Sequence, residues 1–170
     1  MRAAMIILLI LVNSFVNAED KGVFTTRSMT VETASKAAWQ AMKGCRDEGY
    51  SVAVAVVDKS GILQAFHRDR FAGPHTVQTA ISKAWTAVSF HVNTGELADL
   101  LQRGEIPNQV QHNPGALLVG GGVNIYSQGE LIGAIGVSGA PPGKSEKDSI
   151  DGACAKKGIK SIEEILEFAD

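Results

Sequence analysis

The sequence predicts an α+β domain in which a five-stranded antiparallel sheet lies between helices on both faces. Three observations support this class. Two short segments, 50–57 and 131–137, are rich in small and β-branched apolar residues, which is typical of strands buried on both faces. Segments with helical spacing of apolar residues precede, separate and follow them. Short turns containing glycine connect neighbouring strands, so the strands are expected to be antiparallel.

The chain is expected to begin its domain with a helix and a β-hairpin. Thr30 is suited to cap a helix whose alanines recur at helical spacing until Gly44. The strand 50–57 follows. Asp58 then opens a turn that sends residues 62–68 back as an antiparallel strand.

Two helices are expected in the middle of the chain. The longer one runs from about Val77 to His91, with Thr76 as its cap, and it carries one apolar stripe that must face the sheet. A shorter one begins at Thr94 as its N-cap and ends near Gly104. The polar segment after it contains two prolines and predicts a loop.

The last third is expected to hold most of the sheet. Residues 115–143 contain three apolar runs broken by glycine, which predict a three-stranded meander. A helix over 144–157, stopped by Gly158, and an amphipathic segment over 159–168 complete a single domain of residues 29–170.

The first eighteen residues have the pattern of a secretory signal peptide. Arg2 is followed by an uncharged apolar run, and Ala18 ends a small-x-small cleavage pattern. Cleavage near Ala18 predicts a periplasmic or secreted protein, with an uncleaved membrane anchor as the alternative. In an oxidising compartment Cys45 and Cys154 are equally compatible with one disulfide and with two separate thiols.

Several classes of function are poorly supported. The formal net charge is −2, and nothing in the balance of charges suggests nucleic acid as a partner. The chain has no CxxC, HxH or HExxH spacing, which argues against a zinc site. Residues 139–145 fall one residue short of a phosphate-binding loop and contain two prolines. No GxSxG phrase is present, so no catalytic residue is assigned and enzymatic activity stays an open question.

Two of the four histidines stand out because they bracket the long central helix. His75 precedes this helix and His91 ends it. In the functional interpretation, His91 edges a pocket in which Lys83 and Arg68 hold an acidic group. In the alternative, the helix dipole explains His91, and the two cations are solvated surface charges.

The order of several motifs resembles one known family, the GlcG/HbpS-like haem-degrading domain family. The resemblance covers residues 29–159 and rests on the following segments: V-A-V-V-D-x-x-G-x-L at 54–63, A-F-x-R-D at 65–69, K-A-x-T-A-x-x-F at 83–90, T-x-E-L at 94–97, P-G-x-L-x-x-G-G-G-V at 114–123, G-E-L-I-G-A-I-G-V-S-G at 129–139 and D-x-A-C-A-x-x-G at 151–158. One departure is Asn124, where the family usually has proline.

The resemblance implies a profilin-like fold, homo-oligomers and, for exported members, haem binding. In some members it also implies slow haem degradation, or redox sensing through a membrane sensor kinase. Other members accompany glycolate oxidation or diol utilisation without a settled activity. The family's haem-associated threonine matches Thr94.

Two hypotheses follow. The first is an exported haem-binding protein whose iron is held by His91 and Thr94, with His75 as another axial donor and Lys83 or Arg68 at the propionates. The second is a module without haem that binds a small organic acid or a partner protein. The aromatic content of 6% favours the second, because haem pockets are usually rich in aromatic contacts.

Overall fold

In the part of the chain that the structure describes, four antiparallel strands form the sheet, in the order β2-β1-β4-β3. The computed structural model describes residues 22–143, 145 and 149–169. The strands are β1 (Ala53–Asp58), β2 (Leu63–Arg68), β3 (Gly122–Ser127) and β4 (Glu130–Ser138). The predicted α+β class and antiparallel pairing are confirmed, and the predicted count of five strands is wrong.

The missing strand is the first run of the expected meander, residues 115–121. Its backbone contacts both a helix and a strand: the Leu117 N–H donates to Thr86 Oγ1 of the second helix at 2.8 Å, and the Gly121 carbonyl accepts the Val137 N–H of β4 at 2.9 Å. Gly115 and Gly121 have φ angles of 87° and 126°, which no strand maintains. The run begins against the second helix, where a side chain at Gly115 would lie 3.6 Å from the Trp85 ring.

Within residues 22–143, 145 and 149–169, five α-helices and one short 3₁₀ helix accompany the sheet. They are α1 (Val31–Arg46), α2 (His75–Phe90), α3 (Thr94–Gln102), the 3₁₀ helix (Asn108–His112), α4 (Ile150–Lys160) and α5 (Glu163–Glu167). Thr30 caps α1 as predicted, because its side chain accepts the Thr33 N–H.

Several helix boundaries differ from the prediction, and α1 continues through Gly44 to Arg46. Helix α2 starts at His75, and Thr76 does not cap it, because the Thr76 hydroxyl donates to the Gly73 carbonyl at 2.6 Å. Helix α4 starts at Ile150 and continues through Gly158. A side chain at Gly158 would lie 2.5 Å from the Ala37 carbonyl oxygen, so this glycine serves close packing of α4 on α1 and does not stop the helix.

The central strand β1 is buried on both faces, as its composition predicts. Val54 and Val56 pack in the core beneath α1 and α4. Ala53 and Ala55 pack with Ala80 of α2 on the opposite face. The helices therefore form two layers around the sheet, and α2 runs across the face that carries the small residues.

A disulfide joins the two helices of the first layer. Cys45 in α1 and Cys154 in α4 are bonded, with 5.4 Å between their Cα atoms, which resolves the alternative that their spacing left open. The predicted signal peptide lies outside the described residues. Within the described part of the chain, none of the helices combines the length and apolarity that crossing a membrane requires.

Candidate functional site

The predicted site residues do not form one cluster. His75 begins α2 and His91 follows its last residue, so a helix of 16 residues, about 24 Å long, separates them. Lys83 lies midway along α2. Arg68 ends β2, on the side of His75. A single haem iron is therefore not reached by both histidines of one chain.

Lys83 is buried and ion-paired. Only 2% of the residue is exposed, and its Nζ donates to Asp151 Oδ2 at 2.8 Å and to the Val137 carbonyl at 3.0 Å. The interpretation of Lys83 as a solvated surface charge is wrong. Its ammonium connects α2 to β4 and α4, and it presents no free face for a propionate.

Thr94 is fully buried, and its hydroxyl has two short hydrogen bonds. Its Oγ1 donates to the Val119 carbonyl at 2.7 Å and accepts the Gly122 N–H at 2.8 Å. It is the first residue of α3, and the N-cap position belongs to Asn93. The Asn93 side chain instead accepts the N–H of Asn124 at 3.0 Å. The Thr94 and Asn93 side chains therefore accept hydrogen bonds from two N–H groups of β3, which lies at the edge of the sheet.

His91 is exposed and ends α2 in a left-handed conformation with φ of 56°. The next helix, α3, carries Glu96 and Asp99, and the Arg103 guanidinium that follows it interacts with both carboxylates. The charges in the segment after His91 are therefore mixed.

At the opposite end of α2, residues 68–75 form a segment that we call the β2–α2 corner. Asp69 fixes the backbone of this segment through hydrogen bonds. Asp69 Oδ2 accepts from Arg46 Nε at 2.8 Å, and Oδ1 accepts the Phe71 N–H at 3.2 Å. The hydrogen bond from Arg46 is the main reason why the pKa of the Asp69 carboxyl lies below its ordinary value. The corner is thereby tied to α1.

The β2–α2 corner presents an imidazole, an aromatic ring and two guanidinium groups to solvent. Phe71 is 80% exposed, and the Arg70 guanidinium lies 5.7 Å from the centre of its ring. Arg68 is exposed and donates to the Ala72 carbonyl. His75 is exposed, and a side chain at Gly73 would lie 2.7 Å from its Cε1, so the glycine leaves room for the ring.

This donor set fits haem. Haem requires a ligand for iron, an apolar surface for the porphyrin and cations for two propionates. The corner carries residues of each of these types within eight positions. Sequence reasoning selected Arg68 and His75 but missed Phe71 and Arg70, although the run R-D-R-F at 68–71 signalled a charged turn carrying an aromatic residue.

Comparisons with known proteins agree with this fold. A family model described as haem degrading protein HbpS-like matches residues 29–160. The crystal structure of a double mutant of HbpS from Streptomyces reticuli is 31% identical with a TM-score of 0.73, and the match covers 94% of this chain and 97% of that one. The crystal structure of a complex of PduOC with haem is 27% identical with a TM-score of 0.70, and covers 80% and 96%.

A further relative is the corrinoid adenosyltransferase PduO of Salmonella typhimurium. It is 35% identical over 99 residues, which is 57% of this chain. The chain spans 29% of the length of that protein.

Proposed function

Because the chain belongs to the HbpS-like family of haem-degrading proteins, we propose that it binds haem, and that it does so at the β2–α2 corner. The observation that carries the proposal is the grouping of His75, Phe71, Arg68 and Arg70 on one exposed segment. The complex of the relative PduOC with haem supports the choice of ligand.

Each residue of the corner has a distinct role in this proposal. The His75 imidazole is the iron ligand, and Phe71 packs against the porphyrin. Arg68 and Arg70 hold the propionates. Asp69, through its hydrogen bonds to Arg46 and the Phe71 N–H, fixes the backbone that carries them. Bound haem supplies a redox-active iron.

The role of the two arginines is tested by comparing hemin with hemin dimethyl ester, which lacks the carboxylates. The double variant Arg68→Gln/Arg70→Gln is expected to bind hemin about tenfold more weakly than the unaltered protein, because two solvent-exposed ion pairs with the propionates are lost. The affinity for the dimethyl ester is expected to stay within about twofold. Titrations followed at the Soret band give both constants.

The matched control is Lys36→Gln/Lys160→Gln, which removes the same charge from two exposed lysines elsewhere on the surface. It should leave both affinities unchanged. Equal losses for hemin and its ester in the arginine variant would show that the arginines do not meet the propionates.

We further propose that the protein is exported, self-associates, and sequesters or slowly degrades haem or reports haem to a membrane sensor kinase. The Cys45–Cys154 disulfide supports export, since such bonds persist in oxidising compartments. Exposed apolar residues near the edge strand β3, among them Tyr126, Ile165 and Phe168, support self-association. Light scattering of the purified protein tests self-association, which a monomer would contradict. The intact mass of the chain recovered from cells and from the medium tests export and cleavage, which a retained segment of residues 1–18 would contradict.

A further inference from the structure

The last helix, α5, carries an exposed aromatic ring flanked by two carboxylates. Glu164, Glu167 and Phe168 are spaced by three and four residues, so they share the side of α5 that lies opposite the buried Leu166. We call these three residues the α5 outer face. Phe168 is 76% exposed. Within residues 22–143, 145 and 149–169, no ion pair or side-chain hydrogen bond involves either carboxylate.

The α5 outer face is complementary to the β2–α2 corner. The corner presents Phe71, which is 80% exposed, together with the exposed guanidinium groups of Arg68 and Arg70. One surface thus combines an aromatic ring with two anions, and the other combines an aromatic ring with two cations. Opposite charges around two apolar centres attract each other, whereas two copies of either surface would repel each other.

The two surfaces lie at diagonally opposite corners of the sheet. Arg68 ends β2 and is aligned with Ala53, which is aligned with Ser138 at the end of β4. Helix α5 lies at the other end, because the Ser127 hydroxyl donates to a carbonyl of α5 at 2.7 Å and Ser127 is aligned with Glu130 at the start of β4. The edge strands β2 and β3 are three strand spacings, about 14 Å, apart. Contact between the two surfaces therefore requires two copies of the chain.

We infer that the α5 outer face of one copy docks on the β2–α2 corner of a second copy. The two glutamates pair with Arg68 and Arg70, and Phe168 packs against Phe71. Each copy contributes a different surface, so the contact is heterologous and extends into a ring or a chain of copies. The inference rests on the proposed self-association and names the surfaces that form it.

Docking at the corner also excludes haem from it. The α5 outer face carries the same groups as haem, an apolar ring system and two carboxylates, and both use the same two arginines. A neighbouring copy therefore covers the corner of haem-free protein, and haem releases that copy when it binds. This competition rests on the proposed haem site, whereas the docking itself does not.

Light scattering of the haem-free full chain and of charge-reversed variants tests the docking. Glu164→Lys/Glu167→Lys is expected to weaken self-association at least about tenfold, because two attractions become repulsions. Arg68→Glu/Arg70→Glu should have the same effect. An equimolar mixture of the two variants is expected to regain the mass of the unaltered protein, since the reversed surface of each variant complements the reversed surface of the other.

The matched control is Glu32→Lys/Glu96→Lys, which reverses the same charge on two exposed glutamates of α1 and α3 and should leave association unchanged. Circular dichroism establishes that each variant is folded. If the protein associates but neither reversal lowers its mass, or if the mixture of folded variants does not regain it, the docking is overturned and self-association stands. A monomeric unaltered protein would overturn both.

Addition of hemin to the associated protein tests the competition. When the Soret shift reaches saturation, the mass is expected to fall to that of a single chain. An unchanged mass at saturation would overturn the sharing of the corner. Absence of a Soret shift would overturn the competition together with haem binding, while the charge-reversed mixture still decides the docking.

Discussion

Replacing Lys83 with methionine is expected to lower the free energy of unfolding by about 3–5 kcal/mol. The change leaves the Asp151 carboxylate, 5% exposed, without its cation and removes the donor to the Val137 carbonyl. Methionine is similar in length to lysine, so the loss of packing is small. Urea unfolding followed by circular dichroism measures the change.

The double variant Lys83→Met/Asp151→Leu is expected to recover most of this loss, because replacing both partners of a buried ion pair leaves no unpaired charge. The exposed lysine Lys36 provides a control, and Lys36→Met should change stability by no more than about 0.5 kcal/mol. A loss below about 1 kcal/mol for Lys83→Met alone would contradict the structural role of the pair. Hemin affinity of the folded variant should be unchanged.

Removing the disulfide with Cys45→Ala/Cys154→Ala is expected to cost about 4 kcal/mol of stability. The two residues are 109 positions apart, so their bond closes a long loop and restricts the unfolded chain strongly. Both side chains are fully buried between α1 and α4, where alanine is tolerated by the neighbouring small residues.

Guanidinium unfolding of the oxidised protein, the reduced protein and the double variant checks this prediction. Reduced protein and double variant should have similar midpoints, both below that of the oxidised protein. A midpoint that does not change on reduction would contradict the prediction, because it would show that the unfolded chain is not restricted by this bond.

The parts of the fold that were predictable are those in which local pattern and burial agree. The apolar runs of β1 and β4 can only be central strands, and Thr30 with the alanines of α1 defines a helix that packs closely on the sheet. The run at 115–121 was predicted as a strand, but it is an extended segment whose Leu117 N–H donates to Thr86 of α2 and whose Gly121 carbonyl accepts the Val137 N–H of β4. Composition does not distinguish a strand from such a segment.

The candidate site was predictable only in part because it depends on contacts that are distant in sequence. His75 and Arg68 were identified from residue type, but their grouping with Phe71 depends on the hydrogen bonds of Asp69, which involve Arg46 from another helix. The sequence does not show that the Lys83 ammonium is already ion-paired, because its partner Asp151 lies 68 residues away. Thr94 likewise has its hydroxyl engaged by a loop and a strand that follow it.

The histidine that holds the haem iron decides at which end of α2 haem binds. Titration of hemin into His75→Ala and His91→Ala, followed at the Soret band and by electron paramagnetic resonance, measures this. His75→Ala is expected to lose the shifted Soret band and the histidine-ligated iron signal, while His91→Ala retains both with unchanged affinity. Loss of the band in His91→Ala with retention in His75→Ala would place haem at the other end of α2 and contradict the account.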